Sequence, residues 1–246
     1  MYRSDDNERH SAPMNLHSDQ TLTLRLALWL NAWQHGDITV ADAANACEAI
    51  TDSLDLNWQG QRLPWLQFLA EQSAERKLCR TLFPSPGNPD GMPVTTLNLF
   101  ATSPGVVAIG SNLLIGIDQN GGWLAVAQII EIVPIDLNFA RIAMLDALAS
   151  AQKSLADLDL AGTRVTADAT LKELDFGLVP PTTSRRTIDA VEQAYRIATI
   201  ARIAKDDAIA IASRSANHEK VRILDHLEAC AKQLLQAAVS SGYLAN

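Results

Sequence analysis

The chain has 246 residues, of which 48% are hydrophobic and 20% are charged, and its formal net charge is −8. This composition excludes an intrinsically disordered chain, because enough apolar surface is available to form a core. The acidic balance argues against a nucleic acid or an anionic membrane as the partner of the whole chain. The length allows one large domain or two smaller ones.

The cysteines and the N-terminal segment indicate the compartment. Cys47, Cys79 and Cys230 are widely spaced and form no CxxC pair, so we interpret them as small buried side chains in a reducing environment. The first apolar run, residues 22–33, contains polar residues and follows an acidic segment. It therefore predicts neither a secretory signal nor a membrane span. We expect a cytoplasmic protein that makes no membrane contact.

The first predicted elements are helices. Residues 1–19 are polar and without periodicity, which predicts a disordered tail. Apolar side chains at helical spacing predict a helix from Thr21 to Gly36. A second helix begins at Thr39, whose side chain forms a capping box with Asp42, and a third runs from Pro64 to about residue 77.

Five tryptophans are distributed over this half of the chain. Trp29 and Trp33 lie on the apolar stripe of the first helix, so we expect them in the core. Trp58 falls in a polar segment and Trp123 follows a turn. These two are expected to reach the surface, where aromatic side chains often anchor interfaces.

A small sheet is predicted after the helices. A short strand at residues 78–83 precedes a loop rich in proline and glycine, residues 84–93, which we call the Pro/Gly loop. Further strands are predicted at residues 105–109, 113–117 and 123–133, with a type I′ hairpin turn at Asn120-Gly121. These strands are apolar on both faces. Each face is therefore covered, either by the chain's own helices or by another subunit.

Helices are predicted again in the C-terminal part. Asp136 is expected to cap a long helix that ends near Asp157, and its predicted inner residues are Phe139, Ile142, Leu145, Leu148 and Leu155. Residues 158–183 have no clear pattern, with a hinge expected at Gly177 and Pro180-Pro181. Helices at residues 187–213 and 217–239 are joined by a short link, which predicts an antiparallel hairpin.

This order predicts an α+β fold. It comprises N-terminal helices, a small and mostly antiparallel apolar sheet, a long helix and a C-terminal antiparallel helical hairpin. We divide the chain into the tail, an α+β domain over residues 20–180 and the hairpin over residues 181–246, packed on that domain. A single domain over residues 20–246 is the alternative.

The sequence contains no motif of a known catalytic or cofactor site. The GxSxG, GxGxxG and GxxxxGK[ST] patterns are missing from it. His226 and Cys230 stand four residues apart on one predicted helix, but two ligands do not complete a zinc site. Residues 118–122 begin like a calcium loop without the acidic residue that would close it. We therefore predict no catalytic, cofactor-binding or metal-ligating residue and no cofactor.

Two segments resemble a known group of proteins. Residues 27–33 (ALWLNAW) and residues 80–93 (RTLFPSPGNPDGMP) are similar to the opening and the following loop of a family of uncharacterised actinobacterial proteins that has no assigned function. The resemblance extends over about residues 22–130. It implies an actinobacterial source and an arrangement in which the loop matters, and it implies no activity.

These observations favour a non-catalytic protein-interaction or scaffolding protein, expected to be a homodimer and open to a second protein partner. The alternative is a small-ligand-binding protein, or an enzyme of unrecognised class, with its site near the Pro/Gly loop. The candidate partner or ligand surface comprises Arg80, Asp90, Trp123, Arg185 and Arg186. A nucleic-acid contact through the C-terminal arginines is the weakest hypothesis, because charges of both signs are interleaved there.

Overall fold

The structure is a computed structural model that describes residues 16–72, 77–85, 88–101, 103–131, 133–157, 179–211 and 214–241. Its helices are α1 (Leu16–Gln34), α2 (Val40–Thr51), α3 (Trp65–Glu71), α4 (Val94–Leu97), α5 (Leu137–Asp157), α6 (Arg185–Ile211) and α7 (Arg214–Ser241). Its strands are β1 (Asp55–Trp58), β2 (Gln61–Pro64), β3 (Cys79–Leu82), β4 (Val106–Ile109), β5 (Leu113–Ile117) and β6 (Trp123–Ala127). The predicted α+β class and the C-terminal pair of helices are confirmed.

Several predicted boundaries shift. Helix α1 begins at Leu16, inside the predicted tail, and α3 ends at Glu71 rather than near residue 77. Strand β6 ends at Ala127, well before residue 133. The predictions for residues 1–15, for Gly177 and for most of the segment 158–183 lie outside the described residues. The division into two domains at residue 180 stays a prediction.

The helix caps follow the sequence closely. The Thr39 side chain accepts a hydrogen bond from the Asp42 backbone at 3.1 Å, and the Asp42 carboxylate accepts one from the Thr39 backbone. Asp136 caps α5 by accepting a bond from the Phe139 backbone at 2.8 Å. These side chains satisfy backbone N–H groups that have no partner within the first turn of a helix.

The described strands form one six-stranded sheet in the order β2-β1-β6-β5-β4-β3. Neighbouring strands are antiparallel except β1 and β6, which pair in parallel. The predicted β5–β6 hairpin is confirmed, but its turn is not type I′. Gly121 has a φ of +80° and Asn120 does not share this positive value, so the hairpin closes through a three-residue loop.

The β1–β2 hairpin was missing from the predicted elements. Gln59 and Gly60 form its turn with φ angles of +53° and +81°, the left-handed pair that a type I′ turn requires. Trp58 therefore lies on a strand and not in a polar loop. Its ring packs edge-on against Phe68, with centroids 5.7 Å apart.

Both faces of the sheet are covered by the chain itself. One face packs on the large core formed by the helices, which is continuous from Leu24 to Val239. The other face packs on a smaller cluster that includes Met92, Phe100 and Ile130, from the segments flanking β4 and β6. This second cluster accounts for strands that are apolar on both sides without invoking another subunit.

The inner face of α5 differs from the prediction. Small and flexible side chains face the core, namely Ala140, Met144, Ala147 and Ala151. Phe139 and Ile142 are 73% and 58% exposed, and Leu145 is also exposed, so their predicted burial is wrong. Leu148 and Leu155 do pack against the core as predicted. Helix α5 packs on α7, and alanines allow two helices to approach closely.

Trp123 is buried, with 8% of its surface exposed, so the prediction that it reaches the surface is wrong. The parallel pairing of β1 with β6 brings α3 over this strand. The Trp123 ring meets the Trp65 ring with centroids 6.3 Å apart, and its Nε1 donates to the Thr51 carbonyl at 3.3 Å. Trp29, predicted in the core, is partly buried against it.

Candidate ligand-binding cavity

A cavity of about 450 Å³ lies between the end of β3, the Pro/Gly loop and the helical hairpin. Its described lining consists of Arg80, Phe83, Ser85, Asn88, Asp90, Ile135, Lys205, Asp225, Glu228, Ala229, Lys232, Gln233 and Gln236. Cavities that hold small molecules typically have volumes of about 300–1,000 Å³. The cavity is therefore large enough for a compact metabolite.

Helix α7 forms one wall of the cavity. The lining residues from Asp225 to Gln236 recur three and four positions apart, which places them on one face of a helix. The opposite face carries Leu227, Ala231 and Leu234, which are buried in the core. Burial of this apolar face fixes the rotation of α7 and directs its polar face towards the Pro/Gly loop.

One end of the cavity is formed by Arg80, Asp90 and Gln236. The Gln236 amide oxygen accepts a bond from Arg80 Nη2 at 3.1 Å, and its Nε2 donates to Asp90 Oδ2. Arg80 Nη1 donates to the Val133 carbonyl at 3.1 Å. Gln236 is only 3% exposed, so this end is largely shielded from water. The strand, the loop and α7 are joined here by side-chain hydrogen bonds.

Asp90 also sets the shape of the Pro/Gly loop. Its Oδ2 accepts a bond from the Phe83 backbone at 2.7 Å, and its own backbone N–H donates to Asn88 Oδ1 at 3.1 Å. Its φ of +52° is left-handed, a conformation that aspartate tolerates better than most residues. The carboxylate thus closes the loop back onto the end of β3.

The other end of the cavity is formed by ion pairs. Lys205 Nζ lies 2.9 Å from Asp225 Oδ1 and 3.0 Å from Glu228 Oε2, and Lys232 Nζ lies 2.7 Å from Glu228 Oε1. Burial would raise the pKa of Glu228, but the two lysines outweigh it and hold this pKa below its usual value. Burial likewise opposes the charge on Lys205, yet Asp225 and Glu228 raise its pKa overall.

The cavity wall retains hydrogen-bonding capacity. Arg80 Nε is buried and has no hydrogen-bond partner among the described residues. Arg80 Nη2 lies 3.7 Å from Asp90 Oδ1, which is too far for a hydrogen bond, so this oxygen is not fully engaged. The acceptor that remains for a ligand at this end is therefore Asp90 Oδ1.

The lining offers charged groups and amides for binding. Among the described residues, no group of three His, Cys, Asp or Glu side chains is placed to hold a metal ion. His226 and Cys230 approach to 3.9 Å on α7, and neither belongs to the cavity lining. Burial raises the pKa of the Cys230 thiol, which keeps it protonated.

The structure brings together only part of the predicted surface. Arg80 and Asp90 line one cavity, and their part in binding a ligand stays a prediction. Trp123 is in the core, whereas Arg185 and Arg186 are exposed at the start of α6 and outside the cavity lining. Arg185 pairs with Asp189 at 3.0 Å, and Arg186 donates to Asn138.

The sequence analysis missed the six polar residues that α6 and α7 contribute to the cavity, namely Lys205, Asp225, Glu228, Lys232, Gln233 and Gln236. Glu228 and Lys232 stand four apart, a spacing that is typical of any solvated helix face. The sequence does place Gln236 beside the apolar stripe of the last helix, and a polar side chain that is buried there needs a hydrogen-bond partner from another element.

A protein-family match includes the residues that form one wall of this cavity. Residues 23–119 match the Rv1486c-like protein N-terminal domain. This family consists of uncharacterised mycobacterial and actinobacterial proteins, so the resemblance predicted from residues 27–33 and 80–93 is confirmed. No curated protein and no solved structure matches the chain.

The Rv1486c-like segment contains Arg80, Asp90 and the whole Pro/Gly loop. The polar face of α7 and Lys205 of α6 lie beyond it. The cavity is therefore assembled from the matched segment and from C-terminal helices that the family model does not cover. Within the described ranges, no helix combines the length and the apolar character needed to cross a membrane.

Proposed function

We propose that this chain is a non-catalytic binding protein that holds a small polar ligand in the cavity between the Pro/Gly loop and α7. The observation that carries the proposal is the buried polar network of Arg80, Asp90 and Gln236 at one end of a cavity of about 450 Å³. Desolvating polar groups costs folding free energy, so a network of charged and amide side chains that lines a cavity is expected to serve recognition.

The proposal reverses the order of the two hypotheses drawn from the sequence. The homodimer was inferred from strands that are apolar on both faces, and the chain's own segments cover both faces. The ligand-binding hypothesis had placed Arg80 and Asp90 near one site, and both line the cavity. A cytoplasmic location remains part of the proposal, supported by three free cysteines.

A blocking variant tests the proposal. Ala229 lies on the cavity wall and is exposed, so Ala229→Trp fills the cavity without disturbing the core. Ala149→Trp is the matched control, because Ala149 is an exposed alanine within α5 and outside the cavity lining. Amide NMR spectra of both variants and of the wild type are recorded with a library of polar fragments.

We expect fragments to perturb amide signals of Gln233, Gln236 and Asp90 in the wild type and in Ala149→Trp. The same fragments should leave these signals unchanged in Ala229→Trp. Fragment binding that survives in Ala229→Trp would place the site elsewhere. A library that perturbs none of these signals in the wild type would refute the proposal.

Self-association is the second candidate, and it rests on a different observation. Phe139, Ile142 and Leu145 recur three residues apart and are exposed on α5, and Val133 precedes them with 55% exposure. Exposed apolar side chains grouped in this way often mark protein interfaces. We propose a second copy of the chain as the partner, as the sequence analysis expected.

Sedimentation velocity tests this second candidate. Ile142→Asp should convert a dimer into a monomer, because it places a charge at the centre of the apolar stripe. Ala41→Asp on the exposed side of α2 is the control, because it adds a charge away from this stripe. A wild type that sediments as a monomer over the accessible concentration range would rule out the homodimer.

A further inference from the structure

Resting on the proposed function, the geometry points to the class of ligand that the cavity takes. We infer that the ligand is a small zwitterion of about the size of a dipeptide, with its carboxylate at one end and its ammonium group at the other. The balance of charge in the lining and the positions of its free donors and acceptors both favour such a ligand.

The charges around the cavity are balanced. Three cationic side chains line it, Arg80, Lys205 and Lys232, and three carboxylates, Asp90, Asp225 and Glu228. A ligand with a net charge would leave one charge uncompensated in a partly desolvated space, which is costly. A zwitterion adds one charge of each sign and keeps the balance.

The two lysines provide the site for the carboxylate. Lys232 Nζ makes one of its three possible hydrogen bonds, to Glu228, and Lys205 Nζ makes two, to Asp225 and Glu228. Both ammonium groups therefore meet at one carboxylate and keep N–H donors for another. Each lysine side chain is at least three-quarters buried, which strengthens such a contact relative to one in open solvent.

The opposite end provides the site for the ammonium group. Asp90 Oδ2 is occupied by the Phe83 backbone and by Gln236, whereas Oδ1 has only the 3.7 Å approach of Arg80. The Arg80 guanidinium is already held by the Val133 carbonyl and Gln236, so it does not compete fully for Oδ1. Ser85 and Asn88 line the same end and can add neutral hydrogen bonds.

The experiment uses matched sets of probes and isothermal titration calorimetry on the full chain. The zwitterionic probes are the alanyl dipeptides and the straight-chain ω-amino acids, whose two charged groups are separated. Each probe that binds is compared with its N-acetyl derivative, which lacks the cation, and with its C-terminal amide, which lacks the anion. Succinate and putrescine represent the purely anionic and purely cationic ligands.

We expect the best zwitterion to bind about tenfold or more tightly than either derivative, because each loses one charge-assisted contact. Lys232→Met should lower the affinity for the zwitterion and for its N-acetyl derivative about tenfold. It should leave the affinity for the amide unchanged, because the amide has no carboxylate to contact this lysine. Lys153→Met, on the exposed side of α5, is the control and should change none of the affinities.

The outcomes separate the ligand class from the proposed function. Succinate could bind more tightly than every zwitterion, with an affinity that depends on Lys232. That result would overturn the zwitterionic ligand class and leave the cavity as a binding site. Equal binding of the zwitterion and both derivatives would also overturn it. The failure of every probe, together with a fragment library that perturbs no cavity signal, would refute both proposals.

Discussion

The Asn31 side chain binds both backbone groups of Cys79. Its Oδ1 accepts a bond from the Cys79 N–H at 2.7 Å, and its Nδ2 donates to the Cys79 carbonyl at 3.0 Å. The same Nδ2 donates to the Val239 carbonyl at 2.9 Å. Asn31 is fully buried, so one amide joins α1, the edge strand β3 and the end of α7 inside the core.

Asn31→Leu should be strongly destabilising. The leucine has the same number and branching of heavy atoms as the asparagine but leaves buried backbone groups of Cys79 and Val239 without partners, at a cost of about 1–3 kcal/mol for each group. We expect urea denaturation to show a loss of at least about 2 kcal/mol in the free energy of unfolding. The control is Asn45→Leu on the exposed side of α2, which should change it by less than about 0.5 kcal/mol.

Gly116→Ala should destabilise the sheet. A Cβ added at Gly116 would lie 2.8 Å from Cδ1 of Phe100, whose ring is buried and cannot move aside. Overpacking of this kind costs about 1–3 kcal/mol, which thermal unfolding would detect as a lower Tm. Gly122→Ala is the control, because the nearest atom to its added Cβ is 3.6 Å away. Equal Tm values for the two variants would contradict the packing described around Phe100.

Glu228 should make stability depend on acid pH. Its pKa in the folded protein is lower than the usual value of 4.5, so the unfolded chain binds more protons in the range between the two values. The stabilisation by Glu228 is therefore complete above pH 4.5 and is lost as the pH falls through the folded pKa. Urea denaturation of the wild type and of Glu228→Gln between about pH 6 and about pH 3 tests this prediction.

We expect the wild type to lose more stability than Glu228→Gln below pH 4.5 and the two curves to run parallel above it. The control is Glu131→Gln, which removes an exposed carboxylate outside the cavity lining. That variant should follow the wild-type curve throughout. A Glu228→Gln curve that also follows the wild type would contradict the ion pairs with Lys205 and Lys232.

The three thiols should be unreactive in the native protein. Burial raises the pKa of Cys47, Cys79 and Cys230, and the thiolate is the reactive form. Native protein treated with iodoacetamide at mildly alkaline pH should remain unmodified by mass spectrometry, and protein unfolded in urea should gain three adducts. Cys230 retains 8% exposure, so it should be alkylated first during slow partial unfolding. An early adduct on Cys47 would contradict the described core.

Apolar periodicity predicted the order of the elements but misplaced one face of α5. Phe139, Ile142 and Leu145 were assigned to the core because they are large, whereas the structure buries alanines and Met144. A sequence pattern ranks side chains by hydrophobicity, but close packing of α5 on α7 selects small ones. The packing of α5 on α7 therefore decides which face of α5 is buried, and no local sequence signal encodes that choice.

The cavity was predictable only in part. Arg80 and Asp90 are separated by ten residues and flank an unusual loop, so their proximity could be inferred from the sequence. Lys205 and Gln236 reach the same cavity from helices more than a hundred residues away along the chain, through packing that depends on the whole core. The rotation of α7 relative to the Pro/Gly loop is a property of the assembled fold and not of any local segment.

The position of β6 has a consequence for how this architecture can be cut or transferred. The strand lies between β1 and β5, although it follows the end of the Rv1486c-like segment at residue 119. A fragment trimmed to that segment would expose unpaired backbone on both β1 and β5 and leave the β1–β2 hairpin without a neighbour. Any excised or grafted version must therefore extend at least through Ala127 to keep a continuous sheet.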